Sequence, residues 1–388
     1  MSVLGKSFGI IGCGIGGVAV SIAIAKLGGH VTLFERAKKI TEVGAGIQIS
    51  ANGLSALADL GIKPEHFNEI SKPLAIELRD YKVGSLVARI RQNQDVDFPY
   101  LQLHRADLMS ILIARAEKLG VIILLDAKAK VIDALSNHPK VQANGMTYNF
   151  DLIVGADGVN STTRQDWLNE GPAKFSGKVA WRATVPAKTV STVSAVTTVY
   201  MGRGKHLVMY PLRGGQLINI VAVQECKQAV SEGWDNAGTT QNLCSEFSDF
   251  GTDVQQILSQ VRQVKLWGLY THPPLKTWSR NHLTLLGDAA HPMFPFMAQG
   301  ACMALEDASV LARSLDSTDD INHALKSYEA IRKLRVTSIQ NLAARNGKIF
   351  HISNTFMRIF IHNALRLISK LTPQLLEKRF DWIYKHKI

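Results

Sequence analysis

The glycine-rich stretch near the N-terminus constrains the fold of this chain more than any other feature. Gly12, Gly14 and Gly17 have the spacing G-x-G-x-x-G. The apolar run SFGII (7–11) precedes them, and the helical pattern VAVSIAIAKLG (18–28) follows. In such a motif the first glycine permits a tight turn, the second lets the backbone approach a pyrophosphate, and the third lets the helix pack close to the strand. The stretch therefore predicts a βαβ unit that binds a dinucleotide at the helix N-terminus.

An acidic residue completes this unit. Glu35 ends the next apolar run, HVTLFE (30–35), where a carboxylate can accept hydrogen bonds from ribose hydroxyls. The motif alone does not distinguish FAD from NAD. However, Arg36 and VGAGIQIS (43–50) do not read as the third strand of a purely NAD-binding domain, and no second G-x-G-x-x-G marks a separate nicotinamide domain.

Composition indicates a soluble globular protein rather than a membrane or secreted protein. Hydrophobic residues make up 46% of the 388 residues and charged residues 20%. Residues 8–25 resemble a signal peptide in apolarity, but their glycine spacing favours the nucleotide motif. The four cysteines are far apart and contain no C-x-x-C, so neither a disulfide framework nor a metal site is predicted. We expect a cytoplasmic protein.

The remaining patterns predict an α/β fold in which one nucleotide-binding domain is built from discontinuous segments. Helices are predicted over 51–61, 105–120, 252–263, 301–315 and from 322 onwards. Strands are predicted within 74–101, 121–134, 151–158, 175–225 and 282–290. We therefore expect a Rossmann-like domain of residues 1–73, 102–172 and 280–330, an inserted, mostly antiparallel substrate domain of 74–101 and 173–279, and a C-terminal helical region of 331–388.

Three further motifs, together with GCGIGG and GAGIQIS, carry a family resemblance. They are HRADL (104–108), DLIVGADGVN (151–160) and LLGDAAHPMFPFMAQG (285–300). In this order the five motifs resemble the group A FAD-dependent aromatic monooxygenases, in particular the salicylate, 3-hydroxybenzoate and 6-hydroxynicotinate hydroxylases. The resemblance extends to about residue 345. It implies an FAD-binding domain, NAD(P)H as cosubstrate, O2, and a small aromatic substrate hydroxylated through a flavin C4a-hydroperoxide.

The resemblance also implies roles for individual residues. The cofactor-binding residues would be Gly12, Gly14, Gly17, Glu35, Arg36, Gln48, Arg105, Asp157, Asp288, Gly300 and Ala301. Among them, Glu35 would hold the adenosine ribose, Asp288 the ribityl or pyrophosphate portion, and the backbone of Gly300 and Ala301 the pyrimidine side of the flavin. The residues near the reacting atoms would be Gln48, Tyr210, Pro295 and Gln299.

Several of these residues have a structural alternative. Asp157 and Asp288 both sit in turns after strands, where a carboxylate often caps a helix. Arg105 could form a surface salt bridge, and Gln48 could face solvent from a strand. His291 precedes a proline in the turn and is interpreted as structural or cofactor-adjacent rather than as a base.

The chain departs from its apparent relatives beside Tyr210. Several relatives have a histidine immediately before Tyr-Pro, whereas this chain has Met209, which cannot accept a proton. Either His206, Tyr210 or a bound water assists deprotonation of the substrate, or the substrate needs none. A more apolar substrate is a further alternative, and Phe296 favours it.

The net charge of +12 is concentrated at the C-terminus, since residues 332–388 alone carry +10. Such an uneven distribution disfavours a nucleic-acid-binding protein. In TFMRIFIHNALRLISKL (355–371) a stripe of Arg358, His362, Arg366 and Lys370 lies opposite a broad apolar face. One interpretation is a helix peripheral to the inner face of a membrane, which would admit a lipophilic, quinone-like substrate. The favoured interpretation is a helix packed on the body or on a second subunit of a homodimer, with the basic side solvated.

Two other function classes remain open. A flavin-dependent reductase or dehydrogenase on the same fold would not use O2, and a flavin-binding regulator would show no turnover.

Overall fold

The computed structural model describes residues 3–40, 46–92, 98–189, 195–230 and 237–388. Its helices are α1 (Ile15–Lys26), α2 (Ala51–Asp59), α3 (Arg105–Lys118), α4 (Thr162–Leu168), α5 (Thr240–Glu246), α6 (Thr252–Leu258), α7 (Gly300–Asp316), α8 (Ile321–Phe350), α9 (Thr355–Leu371), α10 (Pro373–Lys378) and α11 (Asp381–Tyr384). Its strands are β1 (Ser7–Ile11), β2 (His30–Phe34), β3 (Gly46–Ile49), β4 (Ala75–Asp80), β5 (Leu86–Arg91), β6 (Leu101–His104), β7 (Ile122–Leu124), β8 (Lys130–Asp133), β9 (Lys140–Ala143), β10 (Met146–Asn149), β11 (Leu152–Gly155), β12 (Lys174–Pro186), β13 (Thr197–Met201), β14 (Lys205–Leu212), β15 (Leu217–Glu225), β16 (Ala237–Gly238), β17 (Val264–Thr271), β18 (Ser279–Arg280) and β19 (Leu283–Leu285).

A six-stranded sheet forms the centre of the nucleotide-binding part. Its order is β18-β19-β11-β1-β2-β7, and all pairs are parallel except β18 with β19. Helix α1 lies against α7 and α3 on this sheet. The strands come from early, middle and late parts of the chain, which confirms the predicted α/β fold. The exact domain boundaries remain a prediction.

An eight-stranded sheet of order β16-β17-β12-β15-β14-β13-β4-β5 forms the second part. All its pairs are antiparallel except β13 with β4. Because side chains alternate along a strand, β15 divides its residues between two faces. Ile220 and Ala222 lie in one hydrophobic cluster with Leu243 and Phe247 of the α5 region. Val221 and Val223 lie on the opposite face, which is directed towards the nucleotide-binding part. One face of this sheet is thus free to form the floor of a site.

Two predicted elements are shorter than their sequence pattern suggested. The helix expected over 252–263 ends at Leu258, and Val261 then packs into the core. The strand expected over 282–290 ends at Leu285, because Gly287 has a φ of +61° and begins a turn. That turn places the following residues at the carboxyl edge of the parallel sheet.

Helix α9 packs in the orientation opposite to the one expected. Arg358 and His362 are 9% and 4% exposed, and Arg366 donates to Ser85 Oγ at 2.9 Å. The Arg358 guanidinium also lies 5.0 Å from the centre of the Tyr81 ring. Arg358, His362 and Arg366 of the basic side are therefore held by the β4–β5 hairpin, whereas Lys370 is exposed. For these three residues the expectation of a solvated basic side is wrong, because the hairpin supplies acceptors and an aromatic face.

Candidate active site

A cavity of about 620 Å³ extends between the two large sheets. Its nucleotide-binding end includes the backbone of the glycine loop, the turn after β19 and the start of α7. Its other end lies on the eight-stranded sheet, with an apolar floor of Ile76, Leu78, Val199, Val208, Val221 and Val223. The cavity is therefore large enough and suitably lined for a planar ring beside an extended cofactor.

The glycine motif has the geometry that a pyrophosphate site needs. Gly12 has a φ of +104°, which L side chains rarely adopt. A Cβ on Gly17 would lie 1.9 Å from the carbonyl oxygen of Gly12, so helix and strand can approach only without a side chain. Gly14 lines the cavity, and a Cβ there would meet no atom within 4 Å. Space is thus left in front of the free amides at the start of α1.

Glu35 supports this loop from the end of β2. Its Oε2 accepts a hydrogen bond from the Cys13 amide at 2.9 Å, and its Oε1 accepts one from the Ala37 amide at 2.9 Å. The carboxylate keeps further lone pairs for ribose hydroxyls, so its predicted role is compatible with these contacts. Arg36 is exposed and does not line the cavity. Its cofactor-binding role remains a prediction.

The two aspartates that follow strands have different surroundings. Asp288 is accessible to solvent, but it lines the cavity, so the surface it exposes faces the cavity and not the outside of the protein. Burial raises the pKa of Asp288, against the opposing influence of His291 and of Arg105, which also lines the cavity. Asp157 accepts from Ser161 Oγ at 2.5 Å and from the Thr163 amide at 3.1 Å. Asp157 thus caps the start of α4, as its structural alternative predicted, and its role towards the cofactor remains a prediction.

Helix α7 begins at the cavity. Gly300 and Ala301 line it, and the first amides of a helix have no intrahelical acceptor. Pro295 lines the adjacent wall, where the rings of Phe294 and Phe296 stack with centroids 5.2 Å apart. This wall is apolar, and proline restricts its backbone.

Gln299 lies beneath the helix start instead of in the cavity. It is 0% exposed, donates to Ser50 Oγ at 2.9 Å and accepts from Asn52 Nδ2 at 3.0 Å. Its contacts fix α7 against α2. A direct contact of Gln299 with the reacting atoms remains a prediction.

A buried charge cluster holds the turn that carries Asp288. Asp307 accepts from His291 Nε2 at 2.5 Å, from the Gly287 amide at 3.1 Å and from Arg332 Nε at 2.7 Å. Burial alone would raise the pKa of Asp307, but its interactions with His291 and Arg332 outweigh burial and lower the pKa to about 2. His291 therefore belongs to the support of the turn.

Polar side chains converge at the sheet end of the cavity. Tyr100 donates to Gln48 Oε1 at 2.8 Å, and both residues line the cavity together with Tyr210. Gln48 thus faces the cavity and not bulk solvent. Burial raises the pKa of Tyr210 to about 12, although Arg182 opposes this. At neutral pH Tyr210 is a neutral hydroxyl that can donate or accept a hydrogen bond.

The alternation of β14 shows why Met209 does not decide the chemistry. Val208 and Tyr210 line the cavity, as does His206, whereas Leu207 and Met209 pack in the core on the opposite face. A base at position 209 would not reach the cavity from this register. The significance that the sequence suggested for Met209 is therefore wrong.

The cavity contains functional groups that sequence reasoning did not single out. Arg182 of β12 lies with its guanidinium 4.9 Å from the centre of the Trp267 ring, and both residues line the cavity. Phe380 and Tyr384 of the C-terminal segment also line it. A lone arginine within a β pattern gives a weak signal, and the C-terminal residues come from outside the family motifs.

The described ranges contain neither a metal-binding cluster nor a membrane-spanning helix. No group of three or more His, Cys, Asp or Glu side chains is arranged to hold a metal ion in them. No helix there combines the length and apolarity needed to cross a bilayer.

Comparison with known proteins identifies relatives over almost the whole chain. The family described as "FAD binding domain" matches residues 7–343. The 3-hydroxybenzoate 6-hydroxylase 1 of Aquipseudomonas alcaligenes is 30% identical over 97% of this chain and 96% of that protein. The 6-hydroxynicotinate 3-monooxygenase of Pseudomonas fluorescens is 30% identical over 87% and 90%. A salicylate hydroxylase substrate complex superimposes with a TM-score of 0.82 at 25% identity, covering 98% and 95%.

Proposed function

The chain belongs to the FAD-dependent aromatic monooxygenases, and we propose that it hydroxylates an aromatic acid whose ring already carries a hydroxyl group, with NAD(P)H as reductant. The observation that supports this substrate class is the arrangement of polar groups around one apolar floor. The cavity is lined by one cation, Arg182. It is also lined by His206 and Tyr210, which can each form a hydrogen bond with a ring hydroxyl.

The strand register relates these groups to one another. Arg182 pairs with Val221, and Val221 pairs with Val208 on the next strand, so the three residues lie side by side. Tyr210 is two residues further along β14 and shares the face of Val208. His206 is two residues away in the opposite direction on the same face, so a ring lying over Val208 with its carboxylate at Arg182 would have Tyr210 on one side and His206 on the other.

FAD, when bound, supplies the oxygen-activating chemistry. Gly14 and the start of α1 would hold its pyrophosphate, Asp288 its ribityl chain, and the amides of Gly300 and Ala301 the pyrimidine edge. These amides and the positive end of α7 stabilise negative charge at that edge. The wall formed by Pro295 and Phe296 keeps water away from the ring that is to react.

Ligand-stimulated turnover tests this function. FAD-loaded enzyme is mixed with NADH or NADPH and with 3-hydroxybenzoate, 6-hydroxynicotinate or salicylate, while oxygen uptake is recorded and products are identified by mass. We expect at least one ring acid to stimulate both NAD(P)H oxidation and O2 uptake and to gain one oxygen atom. NAD(P)H oxidation with a reduced organic product and no O2 uptake would instead establish the reductase alternative.

We further propose that the exposed face of α9 contacts an anionic membrane surface. Phe356, Phe360 and Leu371 are 86%, 71% and 67% exposed and follow one line along the helix. Lys370 of α9 is exposed, and the chain after α9 carries further exposed cations at Lys378, Arg379, Lys385 and Lys387. Exposed apolar residues next to cations are typical of a surface that binds anionic lipid. Helix α9 also contributes Ile361 to the cavity wall, so this surface lies close to the cavity.

Sedimentation with vesicles tests this contact. We expect binding to vesicles that contain phosphatidylglycerol, weaker binding to pure phosphatidylcholine, and loss of binding in Phe356→Asp/Phe360→Asp. Met146→Asp, which changes a 57% exposed apolar residue on the small β8–β10 sheet, serves as the control. A concentration-dependent dimer that the double variant disrupts, without vesicle binding by the wild type, would overturn the membrane proposal in favour of a homodimer.

A further inference from the structure

Two buried histidines form a hydrogen-bonded pair at the edge of the cavity. His206 Nδ1 lies 2.7 Å from His351 Nε2, although the two residues are far apart in the chain. His206 is 1% exposed and His351 6% exposed. His206 lines the cavity from β14, and its second ring nitrogen is not part of this hydrogen bond.

The outer end of the pair faces a surface carboxylate. His351 Nδ1 lies 3.5 Å from Glu225 Oε1, and the Glu225 side chain is 56% exposed. A small rotation of this exposed side chain would bring the oxygen within hydrogen-bonding distance. Glu225 also lines an open surface depression together with Lys178. The three residues thus form a line of titratable atoms from the cavity to solvent.

The surroundings keep both imidazoles neutral. Burial lowers the pKa of His206 well below its usual value, and His351 lowers it further. Burial lowers the pKa of His351 to about 4, with Lys178 acting in the same direction. Among the described residues, Glu225 and Lys178 are charged groups close to His351, while the rings of Phe296 and Phe350 pack against His206. A neutral imidazole has one donor and one acceptor nitrogen, which proton transfer along a chain requires.

We propose that His206, His351 and Glu225 form a proton path that carries the ring-hydroxyl proton of the substrate to solvent. The proposal rests on the function proposed above. The substrate O–H bond breaks and its proton binds His206 Nε2. The proton on His206 Nδ1 moves to His351 Nε2, and the proton on His351 Nδ1 moves to the Glu225 carboxylate and then to water. No other reactant is consumed, and each histidine ends in its opposite tautomer. At product release a proton returns to the oxygen through Glu225, His351 and His206 in the reverse direction, which restores both tautomers.

Proton release on ligand binding tests the path directly. FAD-loaded enzyme is mixed with 3-hydroxybenzoate in weak buffer with a pH indicator, for the wild type and for Glu225→Gln, Glu225→Asp and His351→Gln. We expect proton release to slow roughly tenfold or more in the two glutamine variants, with partial recovery in Glu225→Asp. Glu117→Gln, which removes an exposed carboxylate from α3, should leave the rate unchanged. Unchanged release in Glu225→Gln and His351→Gln would overturn the proposal.

A second measurement does not depend on the ligand. Nitrogen-15 NMR of histidine-labelled, FAD-loaded enzyme reports the tautomer of each ring, with His206 and His351 assigned from His351→Gln and His206→Gln. We expect His206 to carry its proton on Nδ1 and His351 to do the same. A proton on His206 Nε2 would leave no acceptor for the substrate and would overturn the path. If no ring acid is hydroxylated but these tautomers are found, the proposed function fails while the path is retained for another proton source.

Discussion

At the residue scale, two glycines of one motif have different tasks. A Cβ on Gly17 would meet the carbonyl oxygen of Gly12 at 1.9 Å, whereas a Cβ on Gly14 would meet no protein atom within 4 Å. Gly17 therefore serves the packing of the protein itself, and Gly14 leaves room for the ligand.

Alanine substitutions separate these tasks. We expect Gly17→Ala to destabilise the FAD-free protein by about 1–3 kcal/mol, because α1 must shift away from β1. Gly14→Ala should leave the melting temperature of the FAD-free protein nearly unchanged but weaken FAD binding. Differential scanning fluorimetry without FAD, followed by FAD titration, checks both. Equal destabilisation by the two variants without FAD would contradict this division.

Arg182 provides the corresponding prediction for the substrate. Losing a hydrogen bond to a charged group costs about 1.5–3 kcal/mol. We therefore expect Arg182→Met to weaken binding of 3-hydroxybenzoate by roughly tenfold to a hundredfold, and binding of the neutral 3-hydroxybenzamide much less. Perturbation of the flavin absorbance gives both dissociation constants. A parallel loss for acid and amide would show that Arg182 acts through its packing on Trp267 instead.

Site residues differ in how far their sequence context reveals them. Gly14 and Asp288 follow strand ends in motifs with a fixed local geometry, and both line the cavity. Gln299 stands in an equally distinctive motif, yet its side chain turns towards Ser50 and Asn52. His351 has no motif at all, because its partner lies on a strand far away in sequence. A motif fixes the local backbone, whereas side-chain direction depends on what packs around it.

At the element scale, α7 and α8 are joined by buried charges beneath the cavity. Arg332, 0% exposed, lies between Asp307 and Glu306, both also 0% exposed. Arg335 adds a contact to Glu306 Oε1 at 2.8 Å. Each charge is paired, so removal of one partner leaves another uncompensated in the core.

The pKa of Asp307 makes this cluster sensitive to acid. Since its folded pKa is lowered from 3.8 to about 2, its stabilising effect is complete above pH 3.8 and is lost as pH falls through about 2. We expect Asp307→Asn to cost about 3–5 kcal/mol at pH 7 and to flatten the decline of stability between pH 4 and 2. Urea unfolding across this range measures both effects. As a control, Asp59→Asn removes the partly exposed partner of Arg313 and should cost under about 1 kcal/mol of folding stability. A similar loss of stability in both variants would contradict the role of burial.

Helix α9 and strand β14 show why an amphipathic sequence pattern does not determine which face of an element packs against the protein. On α9 the pattern identified two faces correctly, but the β4–β5 hairpin binds the basic face and leaves Phe356 and Phe360 exposed. On β14 the alternation was present in the sequence, but only the partner strands and the α5 region decide that Met209 faces the hydrophobic core between the eight-stranded sheet and α5. Periodicity assigns residues to faces, and tertiary contacts decide which face turns inwards.

At the scale of the whole molecule, the cavity lies where three parts of the chain meet. The nucleotide-binding sheet contributes one end, the eight-stranded sheet the floor, and the C-terminal segment a side wall. The segment is tied to the buried charge cluster, since Arg335 donates to the carbonyl oxygens of Trp382 at 2.8 Å and Ile383 at 2.9 Å. Ile383 is 0% exposed and anchors this wall in the main core.

Tyr384 is the residue by which this anchored segment closes the cavity. Its ring centroid lies 6.1 Å from that of Tyr100 in an edge-to-face arrangement and 6.1 Å from that of Phe380. Removing the ring opens the side wall without touching the glycine loop or the start of α7. We therefore expect Tyr384→Ala to keep FAD binding but to admit water, so that more NAD(P)H is oxidised for each hydroxylated product and more hydrogen peroxide is released. The ratio of product formed to NAD(P)H consumed, with a substrate identified as above, measures this uncoupling.

Trp382→Ala changes the neighbouring aromatic residue, which is 46% exposed and does not line the cavity, and should leave the ratio unchanged. Equal uncoupling in both variants would mean that the segment acts through its general packing, whereas an effect confined to Tyr384 would establish the C-terminal segment as a wall of the active site.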